Sequence, residues 1–142
     1  MTFNQSFVVE KLTNLKEYLL QIKSLFTAED KDILSDSVKM HAVERLLQLV
    51  VDAMLDINQH IIREKNLEIS EDFQGTFYVL GENMILPEEF ANKIAPVVGM
   101  RNRIVHGYET LNKNLLITNL RNNYSDFEKY IALIQKYISE LK

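Results

Sequence analysis

Residues 37–65 read SVKMHAVERLLQLVVDAMLDINQHIIREK, and this stretch decides the predicted fold. Its apolar residues recur at steps of three and four, which is the periodicity of an α-helix. They form two stripes, while many of the polar side chains fall on a third line of the same helix. The first stripe contains Val38, Ala42, Leu46, Leu49, Ala53 and Ile57, the second contains Val43, Leu47, Val50, Met54 and Ile61, and the polar line contains His41, Arg45, Gln48, Asp52, Asp56, Gln59 and Arg63.

A helix that is apolar around much of its circumference is buried on more than one side. In a domain of this size, we expect one stripe to pack inside the chain and the other to pack against a second subunit. The sequence therefore predicts a long helix that starts near Ser35 to Ser37 and runs to about Lys65, and it predicts a homodimer.

The flanking segments also have helical periodicity. Residues 6–26 and 114–141 carry apolar side chains at helical steps and are predicted to be long amphipathic helices. A shorter helix is expected within residues 73–86, and the polar residues 27–37 are expected to form a connection. Because we find no β pattern, repeat or low-complexity segment, the sequence predicts an all-α, up-and-down bundle.

A further helix is predicted between Pro87 and His106. Pro96 lacks an amide hydrogen and is expected to kink this helix, and Gly107 is a typical residue to end it. The predicted bundle therefore has about five helices, in a single domain that spans residues 1–142.

Composition excludes several kinds of site. The 142 residues contain no cysteine, so disulfides, zinc–thiolate sites and cysteine nucleophiles are excluded. The N-terminal residues lack the pattern of a signal peptide, and no stretch approaches the roughly 20 apolar residues that a membrane span requires. We therefore expect a soluble, cytoplasmic protein.

Charge is unevenly distributed along the chain. The formal net charge is −4, which argues against general coating of nucleic acids. Residues 91–123 nevertheless contain five basic residues and one acidic residue, so this segment carries +4 and the rest of the chain −8. Chance and a solvated helix face also explain such a segment.

Residues 101–109, RNRIVHGYE, lie in this basic segment and contain the candidate chemistry. An arginine binds phosphate with a planar fork, and a histidine transfers protons near neutral pH. Together Arg101 and His106 are suited to hold a phosphodiester and to assist attack by an RNA 2′-hydroxyl without a metal. Five residues correspond to about 140° of helix rotation, so the two side chains converge only if the helix ends at His106.

Each of these residue types also has a structural interpretation. A cationic residue at a helix C-terminus is common for capping alone. The other two histidines are expected at the surface or an interface, and the two aspartates of the polar line are expected to form ion pairs with Arg45 or the motif arginines. The aromatic residues before and within the short helix are expected in the core rather than as a platform for stacking bases. These residues are His41 and His60, Asp52 and Asp56, and Phe73, Phe77 and Tyr78.

The pattern of Arg101, four residues, His106, one residue and Tyr108 resembles the signature of HEPN-domain ribonucleases. Three segments are more specifically similar to the HepT toxins, which are paired with MntA-type nucleotidyltransferase antitoxins. They are AVERLLQLVVDAMLDINQHII (42–62), FYVLGENMIL (77–86) and GMRNRIVHGYE (99–109). The similarity extends over nearly the whole chain, in the same order.

The resemblance implies a dimeric five-helix bundle in which two motifs line a cleft at the interface. Arg101 and His106 would be the catalytic pair of an endoribonuclease that needs no metal or other cofactor, with Asn102 and Arg103 supporting the site. Tyr108 matches the tyrosine to which the antitoxin attaches AMP, which inactivates the toxin. The alternative is a non-catalytic HEPN dimer that binds a nucleotide or docks a nucleotidyltransferase.

Overall fold

The computed structural model describes residues 4–141, which fold into seven α-helices and one 3₁₀ turn without a β-strand. The prediction of an all-α protein is confirmed. The helices are α1 (Gln5–Leu25), α2 (Asp30–Leu34), α3 (Ser37–Glu64), α4 (Gly75–Glu82), α5 (Glu88–Ile94), α6 (Val97–His106) and α7 (Lys113–Glu140), and the 3₁₀ turn is Tyr108–Thr110.

The three long helices α1, α3 and α7 have nearly the predicted bounds, and α4 lies inside the predicted segment 73–86. The prediction of about five helices was too low for two reasons. The connection 27–37 contains the short helix α2, and the predicted helix between Pro87 and His106 is two helices. Within the described residues, none of the helices combines the length and the apolar character that crossing a membrane requires.

The helix α3 is the centre of the bundle and contacts α1, α2, α4 and α6. All five members of its second apolar stripe are fully buried inside the chain, and so are Leu46, Ala53 and Ile57 of the first. Intrachain packing therefore covers the second stripe, whereas Ala42 and Leu49 of the first stripe are only half-buried. The second subunit stays a prediction. Val38, near the start of the helix, is the largely exposed member at 76%.

Pro96 breaks the predicted helix instead of kinking it. The helix α5 ends at Ile94 and α6 begins at Val97. The backbone N–H of Val98 donates to the carbonyl of Ala95, and the N–H of Gly99 donates to the carbonyl of Pro96. The new helix therefore begins with the i to i+3 hydrogen bonds of a 3₁₀ turn. As a result, the motif lies on a short helix of 10 residues that packs on α3 independently of α5.

Arg121 of α7 fixes the connection between α1 and α2. Its Nε donates to Asp30 Oδ1 at 2.5 Å, and its two terminal nitrogens donate to the carbonyls of Phe26 and Ala28 at 3.1 and 2.8 Å. Its guanidinium carbon also lies 4.3 Å from the centroid of the Phe26 ring. One side chain therefore satisfies carbonyls at the end of α1 that have no partner within the helix.

A small polar network crosses the core. Asn58 Oδ1 accepts a 2.6 Å hydrogen bond from the hydroxyl of Tyr130, and Asn58 Nδ2 donates to Thr76 Oγ1 at 3.1 Å. All three side chains are buried. Because unsatisfied polar groups are costly in a core, this network fixes α3, α4 and α7 relative to one another.

Candidate active site

The helix α6 presents the motif residues and ends at His106, as predicted. The backbone N–H of Gly107 donates to the carbonyl of Arg103 at 3.0 Å, which closes the last turn. Gly107 has φ −137°, a negative value that other residues also adopt. The helix end therefore does not use the left-handed conformation for which glycine is usually selected.

Arg101 is held by three neighbours. Its Nε donates to Asp52 Oδ1 of α3 at 2.8 Å, and its Nη1 donates to Asn102 Oδ1 at 3.1 Å. Its guanidinium carbon lies 5.7 Å from the centroid of the Phe73 ring. A guanidinium has five N–H donors, so these two hydrogen bonds leave three donors for a ligand. The expected ion pair between Asp52 and a motif arginine is confirmed.

Asp56, the other aspartate of the polar line, pairs with a residue that was not predicted. Its carboxylate lies 3.1 Å from Lys11 Nζ of α1, rather than beside Arg45 or a motif arginine. This ion pair fastens α1 to α3 and involves no motif residue.

The imidazole of His106 is exposed at the end of α6. Among residues 4–141 it makes no hydrogen bond or ion pair, and it does not contact Arg101 through either kind of interaction. Because α6 remains helical through both residues, their side chains leave the helix about 140° apart. The structure thus joins Arg101 to Asp52 and Asn102, and no hydrogen bond links Arg101 to His106 within one chain. Their convergence on one phosphodiester stays a prediction.

Tyr108 lies in the 3₁₀ turn immediately after α6 and is 42% exposed. Its hydroxyl donates a long hydrogen bond, 3.4 Å, to Glu44 Oε2, and Lys113 Nζ lies 5.4 Å from its ring centroid. Glu44 is a buried carboxylate of α3 that sequence reasoning missed. Nothing in its spacing distinguishes it, because it falls beside the apolar stripes rather than on the polar line.

Most cations of the basic segment are paired with acids from other parts of the chain. Arg101 pairs with Asp52, Arg121 pairs with Asp30, and Lys93 lies 3.2 Å from the carboxylate of Asp126. Of the five basic residues between positions 91 and 123, Arg103 and Lys113 have no such acidic partner among residues 4–141. Arg103 is also exposed, close to the motif. The net charge of the segment therefore overstates the positive surface around the motif.

A cleft of about 790 Å³ lies beside the motif, between the end of α3, the segment that leads to α4, and α6. Phe73 and Asn102 both line it. Phe77 is buried and Tyr78 is half-buried against the core, as expected, but Phe73 is 44% exposed. The prediction that Phe73 belongs to the core was wrong, because its ring lies beneath Arg101 rather than among apolar side chains.

The two other histidines have different environments. His41 is exposed, as expected. His60 is buried and stacks on the Phe7 ring with 4.8 Å between centroids, so the expectation of a surface or interface position was wrong. Burial lowers the pKa of His60, partly offset by the nearby Glu64 carboxylate.

Comparison with known proteins gives consistent matches. A family model described as ribonuclease HepT-like matches residues 15–134. The tRNA nuclease HepT of Aphanizomenon flos-aquae is 32% identical over 143 aligned positions, which cover 100% of this chain and 97% of that protein. The mRNA nuclease HepT of Shewanella oneidensis is 25% identical over 128 residues, covering 90% of this chain and 96% of that protein.

Solved structures match over a similar extent. A tri-AMPylated Shewanella oneidensis HEPN toxin, in complex with an MNT antitoxin, superposes with a TM-score of 0.84 and 25% identity over 92% of this chain and 97% of that one. The Bacillus subtilis cytosolic protein YutE, of unknown function, gives a TM-score of 0.86 at 14% identity over 97% of this chain and 93% of that one. The similarity to YutE concerns the fold alone.

Proposed function

This chain belongs to the HepT-like ribonuclease family, and we propose that it is an RNA endonuclease, the toxin of a toxin–antitoxin pair. Its two relatives are named as a tRNA nuclease and an mRNA nuclease, which supports RNA as the substrate class. The related HEPN toxin in complex with an MNT antitoxin supports a nucleotidyltransferase as the partner.

The observation that carries this proposal is the environment of Arg101. Asp52 and Asn102 hold the guanidinium through two of its donors, and three donors remain for the oxygens of a phosphodiester. A fork that is already oriented loses less entropy when it binds phosphate. In the proposed reaction, Arg101 therefore binds the phosphodiester and stabilises the charge that develops on it.

The exposed imidazole of His106 is the proposed proton carrier. It accepts the proton of the RNA 2′-hydroxyl as the 2′-oxygen attacks phosphorus and the bond to the 5′-oxygen breaks. The leaving 5′-oxygen takes up a proton from a second carrier. The products are a 2′,3′-cyclic phosphate and a free 5′-hydroxyl, and no step requires a metal ion.

We propose that the second carrier is His106 of another copy of the chain. Each chain supplies one motif histidine, and Arg101 and His106 leave α6 about 140° apart. A two-fold dimer built from α6 and the polar line of α3 would bring two motifs to one cleft. In this arrangement the interface is mainly polar, because the second apolar stripe of α3 is already buried within the chain.

Tyr108 is the proposed site of AMP attachment by the antitoxin. Its ring is partly exposed, and the motif arginines lie on the adjoining helix. AMP on this hydroxyl would place a negative phosphate near Arg101 and Arg103, where charge-assisted hydrogen bonds are strong. The modification would then occupy the position of the RNA phosphate and inhibit cleavage.

The test is incubation of the purified protein with RNA in EDTA. The wild-type chain is expected to cleave the RNA and leave a cyclic phosphate, whereas His106→Ala should lose at least about 100-fold in rate. Lys136→Ala, which removes an exposed cation on α7, outside α6 and the polar line of α3, is the control and should cleave normally. Cleavage that stops in EDTA and returns with magnesium would contradict this mechanism.

The second candidate is a non-catalytic dimer that binds a nucleotide or docks a nucleotidyltransferase. The acidic net charge of −4 and the pairing of three of the five cations between positions 91 and 123 favour it, because both weaken attraction to RNA. This candidate predicts that the protein binds the nucleotidyltransferase while RNA incubated with either the wild type or His106→Ala stays intact.

A further inference from the structure

We infer that the cleft beside the motif is a base-binding subsite, in which Phe73 stacks against a nucleobase of the RNA strand while the phosphate of that nucleotide lies at Arg101. This inference rests on the proposed function and deepens it. It assigns a role to a cleft that the chemistry of phosphodiester cleavage does not use.

The link between the cleft and the motif is geometric. The Phe73 ring centroid lies 5.7 Å from the guanidinium carbon of Arg101, so an aromatic surface adjoins the proposed phosphate-binding group. Arg101 covers part of the ring, and 44% of Phe73 remains exposed to the cleft. A nucleotide has this same arrangement, with a flat base beside a charged phosphate. Aromatic side chains and arginine planes are the usual surfaces on which unpaired RNA bases stack.

The backbone around Phe73 is fixed before any ligand binds. The Phe73 carbonyl accepts a 2.7 Å hydrogen bond from Thr76 Oγ1, which itself accepts from the buried Asn58. On the other side, Asp72 Oδ1 accepts from the N–H of Gly75 at 2.7 Å. A Cβ at position 75 would lie 2.1 Å from Ser70 Oγ and would displace this hydroxyl, which donates to the carbonyl of Asp72. A fixed backbone at Phe73 reduces the entropy that is lost when the residue binds a ligand, which favours a recognition surface over a passive exposed residue.

The polarity of the cleft suits a base rather than a second phosphate. Its acidic side chains include Glu71 and Asp72, and its cationic side chain is Arg63, so it has no excess of positive charge. The amides of Gln59 and Asn102 also line it and can donate to and accept from the edge of a base. The volume of about 790 Å³ falls in the range of small-molecule sites.

The first test compares a 12-nucleotide RNA that spans a mapped cleavage site with two abasic forms of the same RNA. In each abasic form, one of the two nucleotides flanking the scissile bond is replaced by an abasic ribose. Base stacking contributes about 1–3 kcal/mol, so we expect one of the two replacements to reduce kcat/KM of the wild type by about 5- to 150-fold. Phe73→Ala should lose a similar factor on intact RNA and show no further loss on the abasic RNA. Such non-additive losses identify two groups that contact each other.

Two control variants accompany Phe73→Ala. Phe73→Tyr keeps the ring and should restore cleavage, whereas Met84→Ala removes another exposed apolar side chain outside the cleft and should have no effect. If Phe73→Ala still discriminates against the abasic RNA as the wild type does, the ring does not contact the base and the inference is wrong. Equal cleavage of intact and abasic RNA by the wild type would also overturn the inference. That result is expected if a protein side chain, rather than a base, occupies the cleft.

The second test does not depend on cleavage. Because the chain contains no tryptophan, Phe73→Trp in a His106→Ala background places a single tryptophan in the cleft, and its emission can be excited selectively over that of the six tyrosines. Oligo(A) of 12 nucleotides should quench its emission, and an abasic ribose-phosphate oligomer of equal charge should not. Quenching without RNA cleavage by the wild type would support the subsite and reject the proposed nuclease. Cleavage without base-dependent quenching would leave the nuclease intact and reject the subsite.

Discussion

The guanidinium of Arg101 and the carboxylate of Asp52 form a 2.8 Å ion pair that spans 49 residues of sequence. The pair joins the motif helix α6 to the central helix α3, and the Arg101 side chain is only 16% exposed. Because Asp52 binds Nε, it orients the fork while most of the terminal N–H groups stay available. Asp52 is therefore a positioning residue for the proposed phosphate contact.

Asp52→Ala should reduce RNA cleavage on the order of 10-fold, chiefly by raising KM, because the unpaired fork must be ordered when RNA binds. Asp52→Asn retains an oxygen that accepts from Nε and should recover part of the loss. The control is Glu29→Ala, which removes the carboxylate of an ion pair with Lys31 that involves no motif residue. Steady-state kinetics on one RNA separates the effect on KM from the effect on kcat. Equal losses in Asp52→Ala and Asp52→Asn would mean that charge, rather than orientation, is the contribution of Asp52.

Tyr108→Phe should make the protein resistant to its cognate nucleotidyltransferase, because the phenol oxygen that would receive AMP is absent. Coexpression followed by intact-mass measurement should show one or more AMP units on the wild type and none on the variant. Tyr124→Phe is the control, since the Tyr124 hydroxyl already donates to the carbonyl of Leu19 and lies on α7. If the antitoxin neutralises Tyr108→Phe as well as the wild type, inhibition occurs through binding alone.

Light scattering at micromolar concentration should give about twice the chain mass of 16.6 kDa. The proposed dimer interface is mainly polar, so raised salt should weaken it, in contrast to an interface that buries apolar surface. A monomer that cleaves RNA at full rate would exclude a second His106 as the proton donor to the leaving group.

His60 should make stability depend on pH. Burial lowers its pKa from the ordinary value of 6.5, so the unfolded chain binds the proton more tightly than the folded chain does. The stabilising effect of the neutral ring is complete above about pH 6.5 and is lost as the pH falls through the lowered pKa of the folded state. Urea titrations should show that the free energy of unfolding decreases less between pH 7 and pH 5 for His60→Gln than for the wild type. The exposed His41→Gln should behave as the wild type, and identical decreases in all three proteins would refute this assignment.

Periodicity was sufficient to predict the long helices, because α1, α3 and α7 each bury apolar residues at helical steps. The same pattern did not identify what covers each face. The second stripe of α3 and half of the first are buried, and the covering surfaces come from α1, α4 and α6 of the same chain. Burial can be read from a local pattern, but the neighbour that provides it depends on the connections of the whole bundle.

The candidate site was predicted unevenly for a related reason. The end of α6 at His106 and the pairing of Asp52 with a motif arginine followed from helix geometry and spacing. Glu44 and the exposure of Phe73 did not, because they depend on where the turn after α6 and the turn before α4 come to lie against α3. Net charge was the least informative quantity, since cations of one segment found their partners far away in sequence.

The hydrogen bonds of Arg121 have a consequence for the order in which the chain is assembled. They join it to Asp30, Ala28 and Phe26 across 91, 93 and 95 residues. During synthesis, the ribosome releases the connection between α1 and α2 long before α7 exists, so that connection has no clamp until most of the chain is complete. Since contacts of high sequence separation form late, the N-terminal helices of a nascent chain should remain less protected than those of the finished protein. A potentially toxic nuclease would then reach its rigid form only as a full-length product.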